Sequence, residues 1–345
     1  MLPQISSVLV NISEACTVGC AHCGYHGSDR ASRADPKKLH LWIDQVAELG
    51  VPMVIFTGGE PFQDFELLSQ GIQRVAERNL KAGVFTSGFW GRNLNLARRR
   101  LAELPGLTHL YISVDKFHQD VVSIKCAQNV IKAALQTNVT EVIVCITYHS
   151  EGEIGECKSH LGDVFEDQRV RIHAAAVIPN PFHDMSKVPE NASTRCLKDY
   201  QFHRTCYLQT PLIEPDGNVF ACHIGKVSAH RSAHISPYFL GTLNISDLRS
   251  IFTSAGDNPT YKYLRAFGPS GVANFAELVL NRSTSELRRD CANECSMCYS
   301  VLGDSSTYPL FEAFVNRPEA QEDADVALAF GLGEMATRAS GNSSN

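Results

Sequence analysis

Basic charge is not in excess in this 345-residue sequence: 31 Lys and Arg stand against 37 Asp and Glu, a formal charge of −6. Without a basic field, the electrostatic source of sequence-independent nucleic-acid affinity is missing, and no nucleic-acid partner is expected. Long apolar runs are missing too. The opening MLPQISSVLVNISEAC has no basic leader and only a short apolar stretch, so neither a signal peptide nor a membrane span is indicated, and a cytoplasmic location is expected. Low-complexity segments of any length are absent. At 44% hydrophobic the chain can build a substantial core, as one large or two modest domains.

Cysteine, by contrast, is plentiful, with twelve residues. In a reducing compartment thiols read as metal ligands, catalytic groups or small buried residues before they read as disulfides. Cys16, Cys20 and Cys23 share one short stretch, CTVGCAHC, and Cys291, Cys295 and Cys298 share another, CANECSMC. Cys196, Cys206 and Cys222 fall between them, while Cys126, Cys145 and Cys157 are scattered. The first loop lacks a fourth thiol. Three thiolates suit a [4Fe-4S] cluster with one iron left open to bind a cofactor. A structural zinc site is the alternative, but it closes with four ligands, and His22 sits between Cys20 and Cys23 where it could hardly reach the same ion.

Up to about residue 178 short β-branched runs alternate with amphipathic stretches roughly every thirty residues. Strands are expected near 7–12, 51–56, 81–86, 108–114, 141–147 and 170–177. Helices are expected from Asp35-Pro36 onward and near 64–79, 92–103, 118–137 and 152–164. Six successive βα units imply a parallel sheet, in which chemistry collects at the C-terminal ends of the strands. After PNPFHD the helical periodicity is lost until about 258, and TPLIEPDGNVFACHI has the pattern of a hairpin turning at Asp216-Gly217. The expected division is 1–185, 186–310, and a partly disordered extension over 311–345.

The second strand ends in TGGEP, on the same sheet edge as the cysteine loop. Two adjacent glycines allow a backbone to approach a ligand closely, and Glu60 offers a carboxylate suited to an ammonium group; a plain tight turn is the alternative reading of GGE taken alone. CxxxCxxC after strand one and GGE after strand two together resemble the radical S-adenosylmethionine superfamily. The resemblance spans about residues 7–178 and implies an α/β fold, a partial (β/α)6 TIM-like barrel. It also implies that Cys16, Cys20 and Cys23 hold a [4Fe-4S] cluster whose open iron is chelated by S-adenosylmethionine. Gly58, Gly59 and Glu60 would contact the methionine amino group, and His22 takes the position near the adenine. Ser87 in TSG and Ser113 in SVD would lie against the cofactor, with turn chemistry as their alternative reading. Reductive cleavage would give a 5′-deoxyadenosyl radical that removes a substrate hydrogen atom, with electrons from a flavodoxin- or ferredoxin-type donor.

Cys206, Gly217, Cys222, Cys295 and Cys298 resemble the SPASM or Twitch auxiliary-cluster region, a smaller C-terminal domain behind many such barrels. The implied ligands of one auxiliary [4Fe-4S] cluster are Cys206, Cys222, Cys295 and Cys298, with Cys291 and Cys196 as alternates. A zinc ribbon fits the same spacing. Asp115 and His118 in DKFH lie near the active edge, where a proton acceptor would assist an oxidation; helix capping is the plainer role for Asp115. Cys145 shares strand parity with Thr147 and His149, so its thiol could return a hydrogen atom to a substrate radical, or it could simply be buried. Auxiliary-cluster enzymes of this kind mostly modify peptides, and a peptide substrate is expected; oxidation or epimerisation of a sugar or aminocyclitol is the second reading. A non-catalytic zinc- or cluster-binding protein is the contrasting class.

Overall fold

The β-branched runs of the first half form strands, and the amphipathic stretches between them form helices. The computed structural model describes residues 5–20, 23, 32–177, 210–222, 238–283, 286–287 and 294–341. β1 (Val8–Ser13), β2 (Met53–Gly58), β3 (Lys81–Thr86), β4 (Leu107–Ser113), β5 (Glu141–Tyr148) and β6 (Val170–Ala176) lie side by side in chain order, each neighbouring pair parallel. Parallel neighbours need crossovers. These contain α1 (Pro36–Glu48), α2 (Phe65–Glu77), α3 (Leu94–Ala102), the short α4 (Lys116–Gln119) with α5 (Ile124–Ala134), and α6 (Gly152–Leu161). The arrangement is the expected partial (β/α)6 barrel.

Local chemistry sets the helix starts. Asp35 caps α1 by accepting from the Lys37 and Lys38 amides at 2.9 and 3.0 Å, and Pro36 opens the first turn. The single helix expected over 118–137 is instead two, because Ser123 caps a new helix, accepting from the Lys125 amide at 3.3 Å. Strand alternation then sorts the side chains. Val8, Val10, Ile12, Val54, Phe56, Val84, Ile112, Val142 and Val144 pack under the helices as the main core. Leu9, Ile55, Phe85 and Tyr111 face the other way and form a smaller apolar floor inside the barrel, where the Phe85 and Tyr111 rings stack 4.5 Å apart.

The sheet does not end at β1. β7 (Leu212–Ile213) pairs parallel with the outer side of β1, and β8 (Asn218–Phe220) and β9 (Phe239–Thr242) continue antiparallel. The expected hairpin is present, with Gly217 at φ +90° in its turn, a conformation open to glycine. It therefore belongs to the barrel's own sheet, although the sequence division placed it in the second domain. Beyond it the chain is helical: α7 (Leu248–Asp257), α8 (Pro259–Leu280), α9 (Glu294–Leu302), α10 (Tyr308–Val315) and α11 (Pro318–Gly341). α7 lies where helical periodicity was expected to be absent. Its buried Leu248, Ile251, Phe252 and Ala255 have helical spacing, and Asp247 caps it by accepting from the Ser250 amide at 2.7 Å. Phe311, Phe314, Val315, Ala320 and Ala324 join Tyr261, Val272 and Phe275 in a second core. The extension expected from 311 thus contributes helices and buried side chains rather than only a loose tail. No described helix is long and apolar enough to cross a membrane.

Candidate functional site

The cysteine loop leaves β1 and is held at its root by the turn after β2. Gly59 N–H donates to Ser13 O at 2.8 Å and Glu60 N–H to Ala15 O at 2.8 Å, while Gln63 Nε2 donates to Thr17 Oγ1 at 2.6 Å. The two glycines are required by this contact. A Cβ at Gly58, which sits at φ +144°, would lie 2.2 Å from Ser13 O, and one at Gly59 would lie 2.3 Å from Ala15 O and 2.5 Å from Glu14 O. The close approach permitted by GG is thus made to the backbone that delivers Cys16, a partner that sequence alone could not name.

Glu60 is 1% exposed, and its carboxylate accepts four hydrogen bonds. Phe62 N–H (3.2 Å) and Thr86 Oγ1–H (2.9 Å) reach one oxygen; Ser87 N–H (2.8 Å) and Ser87 Oγ–H (2.6 Å) reach the other. Two donors on each oxygen use the carboxylate's acceptor sites. Burial pushes the Glu60 carboxyl above its usual range, and these hydrogen bonds pull it back in part. Thr86 Oγ1 in turn accepts from Gly88 N–H at 3.1 Å and Trp90 Nε1–H at 3.0 Å, and Trp90 stacks on Phe62 at 4.2 Å. Glu60 and Ser87 therefore form one polar knot joining the ends of β2 and β3.

At the end of β4, Asp115 is buried and caps α4. One of its oxygens accepts from His118 N–H at 3.1 Å and lies 2.7 Å from His118 Nδ1; the other accepts from Thr147 N–H at 3.2 Å. Ser113, Cys145 and His173 lie on one rung across β4, β5 and β6. Their parity is that of Tyr111, so they line the inner face. Burial, with the nearby Asp115 charge adding to it, pushes the Cys145 thiol up to about 12, so it remains S–H across the neutral range.

Cys16, Cys20 and Cys23 fall into one apolar cluster with Val18, Val122, Phe89, Phe117 and Cys126. Burial, then the charges of Cys23, Asp115 and Cys16, push the Cys20 thiol well above the ordinary range. Among the described residues no three His, Cys, Asp or Glu side chains converge on a point that a single ion would occupy. A cubane does not ask for that, because each thiolate takes its own iron. Three soft sulfur donors in a largely apolar shell are a donor set that fits such a cluster. A second group of thiols lies at the other core, where Cys222, Cys295 and Cys298 share an apolar cluster with Tyr238, Met297 and Val301. His22, Cys196, Cys206 and Cys291 lie outside the described residues.

One polar pair at the site escaped the sequence reading. Asn11 Nδ2 donates to Glu214 Oε2 at 2.6 Å, joining β1 to the hairpin, and both residues are buried. Asn11 Oδ1 has no hydrogen-bond partner among the described residues and faces Gly58, 2.4 Å from where a Cβ there would stand. The available signal was a single amide inside the otherwise apolar run SVLVNI.

Residues 10–149 match the family model described as the Radical SAM superfamily. YydG of Bacillus subtilis (strain 168), whose name assigns it provisionally to peptide biosynthesis, is 24% identical over 130 residues, 36% of this chain and 41% of that protein. The match thus spans less than half of the relative's length. Streptococcus suis SuiB bound to its precursor peptide SuiA superposes with a TM-score of 0.52 at 14% identity, over 77% of this chain and 68% of that one. SuiB bound to S-adenosylmethionine gives 0.44 at 12% identity, over 76% and 68%.

Proposed function

We propose, from the match of residues 10–149 to the radical SAM family model, that this protein is an enzyme that modifies a peptide by radical chemistry. When bound, a [4Fe-4S] cluster and S-adenosylmethionine supply a reductively generated organic radical able to remove a substrate hydrogen atom. Cys16, Cys20 and Cys23 hold the cluster, and the turn at Gly58, Gly59 and Glu60 fixes the root of their loop. The gathering of these three thiols in one apolar shell, beside a turn sterically reserved for glycine, is the observation that carries the reading. His22, Ser87 and Ser113 are assigned to the bound S-adenosylmethionine.

The Cys145 thiol, on the inner face and pushed up by burial, is assigned as a hydrogen-atom donor to a substrate radical. Asp115, one of whose oxygens lies 2.7 Å from His118 Nδ1, is assigned as the proton acceptor at the active edge. Cys222, Cys295 and Cys298, completed by Cys206, with Cys291 and Cys196 as alternates, are assigned to one auxiliary cluster; their shared apolar shell supports this. A flavodoxin- or ferredoxin-type protein is the electron donor. The peptide class is supported by the name of YydG and by the precursor peptide bound to SuiB.

The test incubates reconstituted protein, S-adenosylmethionine and a reductant with short peptides encoded beside its gene. A mass change in one peptide, coupled to 5′-deoxyadenosine, is expected. Turnover of a sugar or aminocyclitol with no peptide altered would overturn the substrate class.

A further inference from the structure

β6 is the last strand of the sheet, and its outer edge meets no other described strand. Val170, Ile172 and Ala174 pack toward the helical layer, while Arg171, His173 and Ala175 face inward and are exposed. The ladder to β5 fixes the backbone directions. Val142 N–H donates to Arg169 O at 2.8 Å and Val177 N–H to Tyr148 O at 3.0 Å, so the odd-numbered residues of β6 turn their amides and carbonyls toward β5. Even-numbered residues turn theirs outward. Val170 N–H is taken by Asp167 O at 3.0 Å and Ala176 has a partner of its own, which leaves Ile172 and Ala174 as the open positions.

Exposed edges are normally blunted by proline, lysine, a bulge or shortness. β6 has no proline, lysine or bulge: VRIHAAA runs for seven residues and pairs with β5 without a break in register, and Arg171 is the inward-facing charge it carries. Its small Ala174, Ala175 and Ala176 crowd the edge least. The edge is also continuous with the inner rung of Ser113, Cys145 and His173. Neighbouring strands stand about 4.8 Å apart, so a chain added beyond β6 would run about 10 Å from β5 and extend that rung by one position.

We propose that the outer edge of β6, which no described strand pairs, is where an extended peptide substrate docks, adding as a further strand through the backbone groups of Ile172 and Ala174. Alternate peptide side chains then turn onto the inner face beside Arg171 and His173, and the others point away. Main-chain pairing gives affinity with little demand on sequence, and the rung selects which residue is presented to the site. A sugar has no strand to add, so this inference rests on the peptide reading.

The test uses an mRNA-displayed library of random twelve-residue peptides selected against the full-length, anaerobically reconstituted protein. Affinity of the best binder is then measured by fluorescence anisotropy. Methylating its backbone nitrogens one at a time is expected to weaken binding tenfold or more at alternate residues and hardly at all between them. Ala174→Pro is expected to weaken it by a similar factor, since it removes an outward amide and leaves the ladder to β5 intact. An N-methyl scan without a two-residue period, together with undiminished binding to Ala174→Pro, overturns edge docking while the peptide reading stands. Failure to enrich any peptide overturns both. A concentration-dependent dimer abolished by Ala174→Pro assigns the edge to a second copy and overturns the peptide occupant.

Discussion

Replacing Gly59 by alanine tests how the turn after β2 governs the cysteine loop. The added methyl would stand 2.3 Å from Ala15 O, 2.5 Å from Glu14 O and 2.6 Å from Ala15 C. All three are backbone atoms, so no side-chain rotation relieves the clash, and the loop must retreat by about 1 Å to reach ordinary contact. That retreat stretches the bonds from Gly59 N–H to Ser13 O and from Glu60 N–H to Ala15 O, both 2.8 Å. Two weakened backbone hydrogen bonds cost about 1 kcal/mol each and the overpacking about 1–3 more, for a total of about 3–5 kcal/mol. At the stability usual for a domain this lowers the melting temperature by on the order of 10 °C. A shift of about 1 Å at Cys16 also lowers iron retention and, through lost alignment, turnover by about 100-fold. Gly155 is the internal control: it lies in α6 with nothing within 4 Å of its would-be Cβ, so Gly155→Ala should be neutral or stabilise by up to about 1 kcal/mol. The assays are calorimetry, iron per chain and 5′-deoxyadenosine formation. A Gly59→Ala protein with the parent's melting temperature and iron content would refute the reasoning.

Asp115→Ala removes the α4 cap and strands the Thr147 amide, costing about 2–3 kcal/mol in urea unfolding; an unchanged midpoint would show that neither bond matters. With its thiol pushed up to about 12, roughly a thousandth of Cys145 is thiolate at pH 9, so alkylation read by peptide mapping should lag far behind a free thiol and rise with pH toward that value. Fast labelling at pH 8 would contradict this. Replacing Cys222 and Cys298 by Ala together should lower iron content yet leave some uncoupled S-adenosylmethionine cleavage, whereas Cys16, Cys20 and Cys23 replaced together by Ala should leave none.

The barrel strands were legible because each is buried on its helical face and carries β-branched residues there, as in SVLVNI and EVIVCIT. α1 could be read for the same local reason, from its Asp35-Pro36 start and apolar stripe. α7 could not: Leu248, Ile251, Phe252 and Ala255 have helical spacing, but the polar composition around them hid it. The placement of the hairpin beside β1 was equally hidden, since β7 pairing with β1 and Asn11 meeting Glu214 are contacts across 203 positions of sequence. At the site, spacing singled out the three thiols, and the family resemblance singled out the GGE turn. The physical work of that turn came only from the fold: its glycines make room for residues 13–15, and Glu60 gathers Phe62, Thr86 and Ser87.

The most direct measurement is electron paramagnetic resonance of the anaerobically reconstituted, reduced protein with and without S-adenosylmethionine, on a variant in which Cys206, Cys222, Cys295 and Cys298 are replaced by Ala. The account predicts a single [4Fe-4S]⁺ signal from the site of Cys16, Cys20 and Cys23, whose g-values shift when S-adenosylmethionine is added because the open iron gains a ligand. A cluster signal indifferent to S-adenosylmethionine, or a colourless protein holding zinc at those three cysteines, would contradict it.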